Sequence, residues 1–420
     1  QDVSLWGPTH LILIGSASFA ALGVWILLTE GRRARPLADG DRSGALWSRI
    51  DEFIVPGALL IGLSTFQAEY DFGLPQFRLV LAPVLMMVAA GVALVAARIR
   101  SGPGGALAAV GLFLAVRGGI AALVGPALGQ TTTHFPLYLA EAAAVELVAL
   151  RVSTDRPLRF GAIAGAAIGS AGLAAEWGWS HVWGGVPWPS SMLAETLLLA
   201  PATAVAAGLV GGFVGRALLR APGAGPVRHG AAAAVALAVI VGVLAWGIRM
   251  PEPDPAPSAA VTLRDAGRGT VDAEIALDPP GAARDAAVLE MHAWQGGGLE
   301  RVGLRPLGGG RYATTRPIPA AGDWKTVIQL EADRAVLALP LYMPADAAIP
   351  APEVPASPRF RRSFEPASEV FMRERRDDVP AGLLGTAYAV VLVLWSAMIA
   401  ALGWGLVRLA HQRELARSFR

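Results

Sequence analysis

The chain has no cysteine in 420 residues. That absence excludes disulfides, thiolate metal ligands and a cysteine nucleophile. Lysine is nearly missing too: Lys325 stands alone, and every other basic residue is arginine. Charged residues make up 16% of the chain, well below the roughly 25% of a soluble globular protein. So little charge excludes a disordered chain and a coiled coil. A net charge of +2 is too small for a phosphate-binding surface, so no nucleic-acid partner is expected. Neither a phosphate loop ending in G-K-[ST] nor a G-x-S-x-G elbow occurs. What the chain has in excess is apolar side chains, 54% of residues, with mean hydropathy +0.49.

Apolar runs of about 20 residues are the length a helix needs to cross a bilayer. Nine are present, at 9–29, 53–69, 77–97, 105–125, 136–151, 159–176, 191–215, 230–249 and 381–407. Arginine placement orients them. Arg32, Arg33, Arg35, Arg42 and Arg49 follow the first run, and Arg98 and Arg100 end the third. Arg151, Arg156 and Arg159 follow the fifth, Arg216, Arg220 and Arg228 the seventh, and Arg413, Arg417 and Arg420 lie in the tail. The intervening short loops, 70–76, 126–135 and 177–190, have no arginine. All basic loops therefore fall on one side, read as the cytoplasm. The N-terminus is expected outside and the C-terminus inside a cell (inner or cytoplasmic) membrane, which an odd number of spans satisfies. A start at Gln1 leaves room for a removed leader.

Residues 250–379 differ in character. Pro251, Pro253, Pro255 and Pro257 make a stiff linker. Short runs of period-two alternation follow, at Thr270–Leu277, Ala287–Trp294, Arg311–Pro317, Trp324–Glu331 and Ala335–Tyr342, separated by turn residues. About seven strands in under a hundred residues predict an immunoglobulin-like sandwich. The expected fold class is thus a membrane all-α bundle of about nine transmembrane helices with an inserted extracytoplasmic β-sandwich. Its parts are an eight-helix unit over 1–249, a proline-rich linker over 250–259 and the sandwich over 260–345. A Pro/Arg-rich linker with a short helix spans 346–379, and the ninth helix with a cytoplasmic tail spans 380–420. Besides the lipid bilayer, a membrane-complex partner is expected to dock on the sandwich and on Arg361–Asp378, where arginines and carboxylates alternate.

The run Gly309-Gly310-Arg311-Tyr312, then Pro317-Ile318-Pro319, then Gly322-Asp323-Trp324-Lys325-Thr326, resembles the end of a YtkA-like/FixH-like domain. The resemblance covers about 260–345. It implies an exported β-sandwich associated with copper proteins and oxidase maturation, with no fixed catalytic residues. The layout of a multi-helix membrane unit followed by such a domain also resembles CopD-like copper proteins. No methionine-rich metal motif accompanies it.

Ionisable groups inside a span are costly, so each is a functional candidate. Arg117 in the fourth run and Glu141 and Glu146 in the fifth are expected to form an intramembrane ion pair. That pair either fixes packing or serves a proton, cation or substrate. His10, His134 and His181 fall at outer ends, near Glu141, Glu176 and Glu195, with Glu69 and Asp71 also outside. Imidazole with carboxylate suits Cu(II), Zn(II) or Fe(II). His10, His134, His181, Glu141, Glu176 and Glu195 are therefore the candidate metal ligands, with copper the ion the resemblance implies. The aromatic stretch Trp177–Trp188 reads as an interfacial anchor or as a lid over a cavity. Three functions follow: metal handling, most of all copper; a non-catalytic subunit of a redox, monooxygenase or photosynthetic membrane complex; and a small-molecule transporter or membrane enzyme. No catalytic residue is singled out.

Overall fold

A computed structural model describes residues 6–34, 42–219, 230–348, 351–371, 380 and 382–418. Among them, eight helical segments are long and apolar enough to cross a bilayer. They are built from α1 (Pro8–Ala34), α2 (Arg42–Ser64) continued by the short α3 (Ala68–Phe72), α4 (Leu81–Ser101) and α5 (Gly105–Ala122). After the short α6 (Leu139–Ala149) come α7 (Pro157–Ala167) with α8 (Leu173–Trp183), α9 (Leu193–Leu218), α10 (Gly230–Ile248) and α12 (Gly382–Ser418), the last preceded by α11 (Ala367–Phe371). Arg32 and Arg33 finish α1, and Arg98 and Arg100 finish α4. Cations there complement the carbonyl end of the helix dipole. Arg33 donates to the carbonyls of Leu409 at 2.7 Å and of Ala217 and Leu219 at 3.1 Å. It thereby gathers the ends of α1, α9 and α12 at one end of the bundle, the arginine end.

Glycine brings the central helices together. Gly211 of α9 lies on the Gly91 carbonyl of α4, and Gly208 lies against Gly161 of α7 on the opposite side. A Cβ at Gly169 would sit 2.6 Å from the Pro201 Cα, and one at Gly215 would sit 2.9 Å from the Ile99 Cβ. The spaced glycines therefore serve close backbone approach. α4 is buried along most of its length, whereas α12 is largely exposed.

The fifth apolar run departs from expectation. Only α6 is helical there, and at 11 residues it is too short to cross a bilayer. Residues 131–138 are non-helical. Tyr138 joins the two parts in a left-handed conformation at φ 55, which a bulky residue adopts only when its surroundings over-determine it. Glu146 of α6 reaches the start of α5, accepting from the N–H groups of Gly104 and Ala106 at 3.1 and 3.0 Å. Of the nine expected spans, eight coincide with helices long and apolar enough to cross a bilayer, and the fifth does not.

The β-domain starts earlier and ends later than 260–345. Its strands are β1 (Ser258–Gly267), β2 (Thr270–Asp278), β3 (Val288–Gln295), β4 (Gly298–Gly308), β5 (Arg311–Thr314), β6 (Ile318–Pro319), β7 (Lys325–Ala332), β8 (Ala335–Tyr342), β9 (Arg359–Ser363) and β10 (Glu365–Pro366). All pairs are antiparallel, on one path in the order β10-β8-β7-β3-β4-β5-β2-β1-β9, with β6 on β2. β4 makes the path continuous, pairing β3 through Gly298–Gly303 and β5 through Leu304–Gly308. The two ends of the path, β9 and β10, are separated in the chain by Phe364 alone. That segment covers the edges of both β1 and β8, giving a near-barrel of ten strands where a seven-strand sandwich was expected. Closure protects edges that would otherwise template aggregation. The interior holds Val261, Ile275, Met291, Ile328, Leu339 and Phe364. A second apolar cluster, with Leu74, Trp294, Val327, Val336, Val370 and Phe371, welds the outside of the barrel to the helices.

Candidate functional site

Residues 134–136 of the non-helical segment line a polar pocket at the end of the bundle that carries the β-domain. Its position follows from local sequence. α7 and α8 are joined by a π-helical turn, Ile168–Gly172, and α5 ends in another, Leu123–Ala127. Such wide turns concentrate at functional sites. The first lets Gly172 pass over Glu141, where a Cβ would stand 2.6 Å from the glutamate Cγ. Glu141, in the first turn of α6, is 0% exposed. Neither of its carboxylate oxygens meets a hydrogen-bond donor among the described residues. Glu176 is its charged neighbour.

The other acids are answered. Glu176 accepts the Tyr138 N–H at 2.7 Å and so caps α6. Asp71 pairs with Arg117, and Arg117 also donates to the His134 carbonyl at 3.4 Å. The His134 N–H meets the Asp71 carbonyl at 3.0 Å, and its Nδ1 lies 2.8 Å from the Trp183 carbonyl. Gln67 donates to the Tyr138 hydroxyl at 2.8 Å. These contacts fix the irregular chain and leave few of its buried polar groups unpaired.

Between these groups lies a cavity of about 40 Å³, lined by residues that include Gln67, Tyr70, Asp71, His134, Glu176 and Trp179. A buried water needs roughly 10–15 Å³ on this measure, so a few water-sized groups fit. Above it, between the helical loops and the barrel, is a chamber of about 510 Å³ whose walls include Gln130, His134, Arg301, Arg316 and Trp324. His134, Gly184 and Gly185 line both spaces and form the neck between them.

The barrel roofs this chamber through specific bonds. Arg301 donates to the Gly185 carbonyl and, at 3.1 and 2.6 Å, to Glu290. Burial alone would raise the Glu290 carboxyl, but His292 and Arg301 override it and hold it at about 2. Burial in turn lowers the His292 pKa. Thr131 donates its N–H to the Gly297 carbonyl at 3.1 Å, and Gln329 reaches the Pro75 carbonyl at 2.6 Å. Glu331 accepts the Leu79 N–H at the start of α4, at 3.1 and 3.0 Å. Burial raises its carboxyl to about 7.

The expected ion pair is corrected by these contacts. Arg117 pairs with Asp71, not with Glu141 or Glu146. Glu146 lies at the arginine end, 2.8 Å from Arg98. The candidate metal set is not assembled: among the described residues no group of three or more His, Asp or Glu is placed to hold a metal. His134 and Glu176 line the pocket, with Glu141 behind them. His10 stands in the first turn of α1 and lines neither space. His181 is exposed, its Nδ1 2.9 Å from the Trp177 carbonyl. Glu195 binds Arg78 at 2.9 Å and Trp246 at 3.2 Å.

Trp179 and Trp188 lie in the pocket wall, and Trp183, at the end of α8, sits 4.8 Å from His134. Arg361 pairs with Asp278 at 2.9 Å, and Arg362 donates to the carbonyls of Pro340, Leu341 and Pro355. The two described arginines of the expected docking segment thus serve the barrel itself, while 372–379, with the other three, lie outside the described residues. Sequence reasoning missed Gln67, Tyr70 and Tyr138. The signal available was their place at the ends of apolar runs beside acids. No family model, no curated protein and no solved structure matches this chain.

Proposed function

We propose that this chain is an integral membrane protein whose pocket takes up a small cation from the outer compartment. The eight apolar helices support the membrane setting. The arginine end is the cytoplasmic end by the positive-inside rule, so the chamber and barrel face outward. The observation that carries the cation reading is Glu141: a carboxylate at that depth with no donor either holds a proton or meets a cation. Glu176 and Asp71 line the pocket, and Glu176 neighbours Glu141. The chamber and the His134 neck supply access, and residues 131–138 supply irregular backbone beside the pocket, a recurrent feature of transport sites. Copper, implied by the sequence resemblance, is one member of the class, with His134 the sole imidazole on the pocket wall. The barrel roofs the site and is not itself the binding domain in this reading.

Infrared difference spectroscopy of the purified protein tests it. Addition of protons, sodium, ammonium, zinc or copper should shift a carboxyl band for at least one cation. The shift should vanish in the Glu141→Gln/Glu176→Gln double variant. No shift for any cation would contradict the proposal.

A further inference from the structure

The pocket's aromatic walls restrict which cation fits, an argument that rests on the proposal above. Two carboxyls line the pocket, Asp71 and Glu176. Asp71 is already matched by Arg117. Glu176 receives only neutral backbone donors, so its negative charge is not cancelled by a side-chain cation. No arginine or lysine lines the space. The rest of the wall is unusually rich in rings and soft atoms: Tyr70, Phe135, Trp179, Trp188 and Met86. Phe135 and Trp183, 4.8 Å apart, continue the aromatic surface toward His134 at the neck.

Metal ions need more than this pocket offers. Zinc takes four N, O or S ligands and calcium six to eight oxygens. Among the described residues no cluster of three His, Asp or Glu is present, and the His134 Nδ1 is engaged by Trp183. A cation that needs only one carboxylate and otherwise rests on ring faces has the opposite requirement. Ring faces attract cations, most strongly those that shed water easily, and ammonium-type ligands are recognised in such boxes. Size completes the argument. A volume of about 40 Å³ accepts about three water-sized groups. Ammonium is the size of one and methylammonium of two, while choline, with seven non-hydrogen atoms, is too large.

We infer that the pocket formed by Glu176, Asp71, Tyr70, Trp179 and Trp188 binds ammonium or methylammonium. One N–H of the ligand would donate to Glu176, and the remaining positive surface would face the rings. Trp179 is held for this by its Nε1–H bond to the Phe135 carbonyl at 2.9 Å. Trp188 is held by its backbone N–H bond to the Ser180 hydroxyl at 3.2 Å.

The test is titration of the full chain in nanodiscs with the chlorides of ammonium, methylammonium, potassium, choline, zinc and copper, read by calorimetry and tryptophan fluorescence. Ammonium and methylammonium should saturate, at least about tenfold tighter than potassium or choline. Trp188→Leu should weaken ammonium at least tenfold, and Trp188→Phe, which keeps a ring face and controls for folding, should weaken it less than threefold. Glu176→Gln should abolish it. Ammonium binding no tighter than potassium, or zinc or copper binding that ignores Trp188→Leu, overturns this inference and leaves the cation proposal standing. Binding of no cation, together with no carboxyl response to protons, overturns both.

Discussion

Raising the pH should loosen the barrel from the helices, and Glu331 sets the size of the effect. Its side chain is buried, accepts the Leu79 N–H with both oxygens, and faces Arg78, Glu195 and Tyr70. Burial raises its pKa from 4.5 to about 7, against the opposing pull of the Leu79 N–H and Arg78. The docked state therefore holds the proton more tightly than an undocked, solvated Glu331 does. This stabilisation is complete below pH 4.5 and is lost as the pH rises through about 7. At about 1.4 kcal/mol per pH unit, the difference amounts to about 3 kcal/mol, or roughly a hundredfold in the docking equilibrium. Glu331→Gln keeps an acceptor for Leu79 and removes the titration. Hydrogen–deuterium exchange of residues 73–81 and of β7, corrected for intrinsic rates, should show protection falling roughly a hundredfold from pH 5 to pH 8. The variant should be flat over that range. An equal fall in the variant, or a flat native profile, would refute the reasoning.

Three other outcomes follow from the packing. Arg117→Met strands the buried Asp71 and should lower stability by about 3–5 kcal/mol; adding Asp71→Asn should restore most of it, as read by thermal unfolding in detergent. Gly208→Val drives a side chain into the Gly161 carbonyl and should cost about 1–3 kcal/mol, whereas Gly242→Ala, with nothing within 4 Å of its Cβ position, should be neutral. Glu146→Gln weakens the cap on Gly104 and Ala106 and the pair with Arg98. That loss of about 1–3 kcal/mol should appear as faster amide exchange confined to the start of α5.

The apolar runs located the helices because length and hydropathy suffice for that. They could not show continuity. In the fifth run the Tyr138 backbone leaves the helix, and depth counted at the helical 1.5 Å per residue fails. Three residues of the run, 136–138, are non-helical and can advance up to about 10 Å instead of about 4.5 Å; Glu146 lies at the arginine end and Arg117 pairs with Asp71. Strand alternation found β7 and β8 but gave no burial for the face with Val327, Gln329 and Glu331. It alternates like a solvent face, yet it is buried against the helices. The segment 359–366 was read as linker because Arg359 and Arg361 look solvated. They are exposed on β9, while Phe364 turns inward. The glycine spacings were legible because close approach has a sequence signature. The pocket had none, since its walls come from the 3-10 turn Thr65–Gln67, α3, α4, α8 and two loops.

The absence of cysteine makes one measurement decisive. His134→Cys places a single thiol at the neck that joins chamber and pocket. In sealed vesicles with the barrel outward, a membrane-impermeant cationic thiol reagent should label it at least about tenfold faster than an anionic one of similar size, because the acidic cluster lies directly below. Glu176→Gln should erase much of that preference. No labelling from the barrel side, or equal rates for the two charges, would contradict an outward-facing cation pocket.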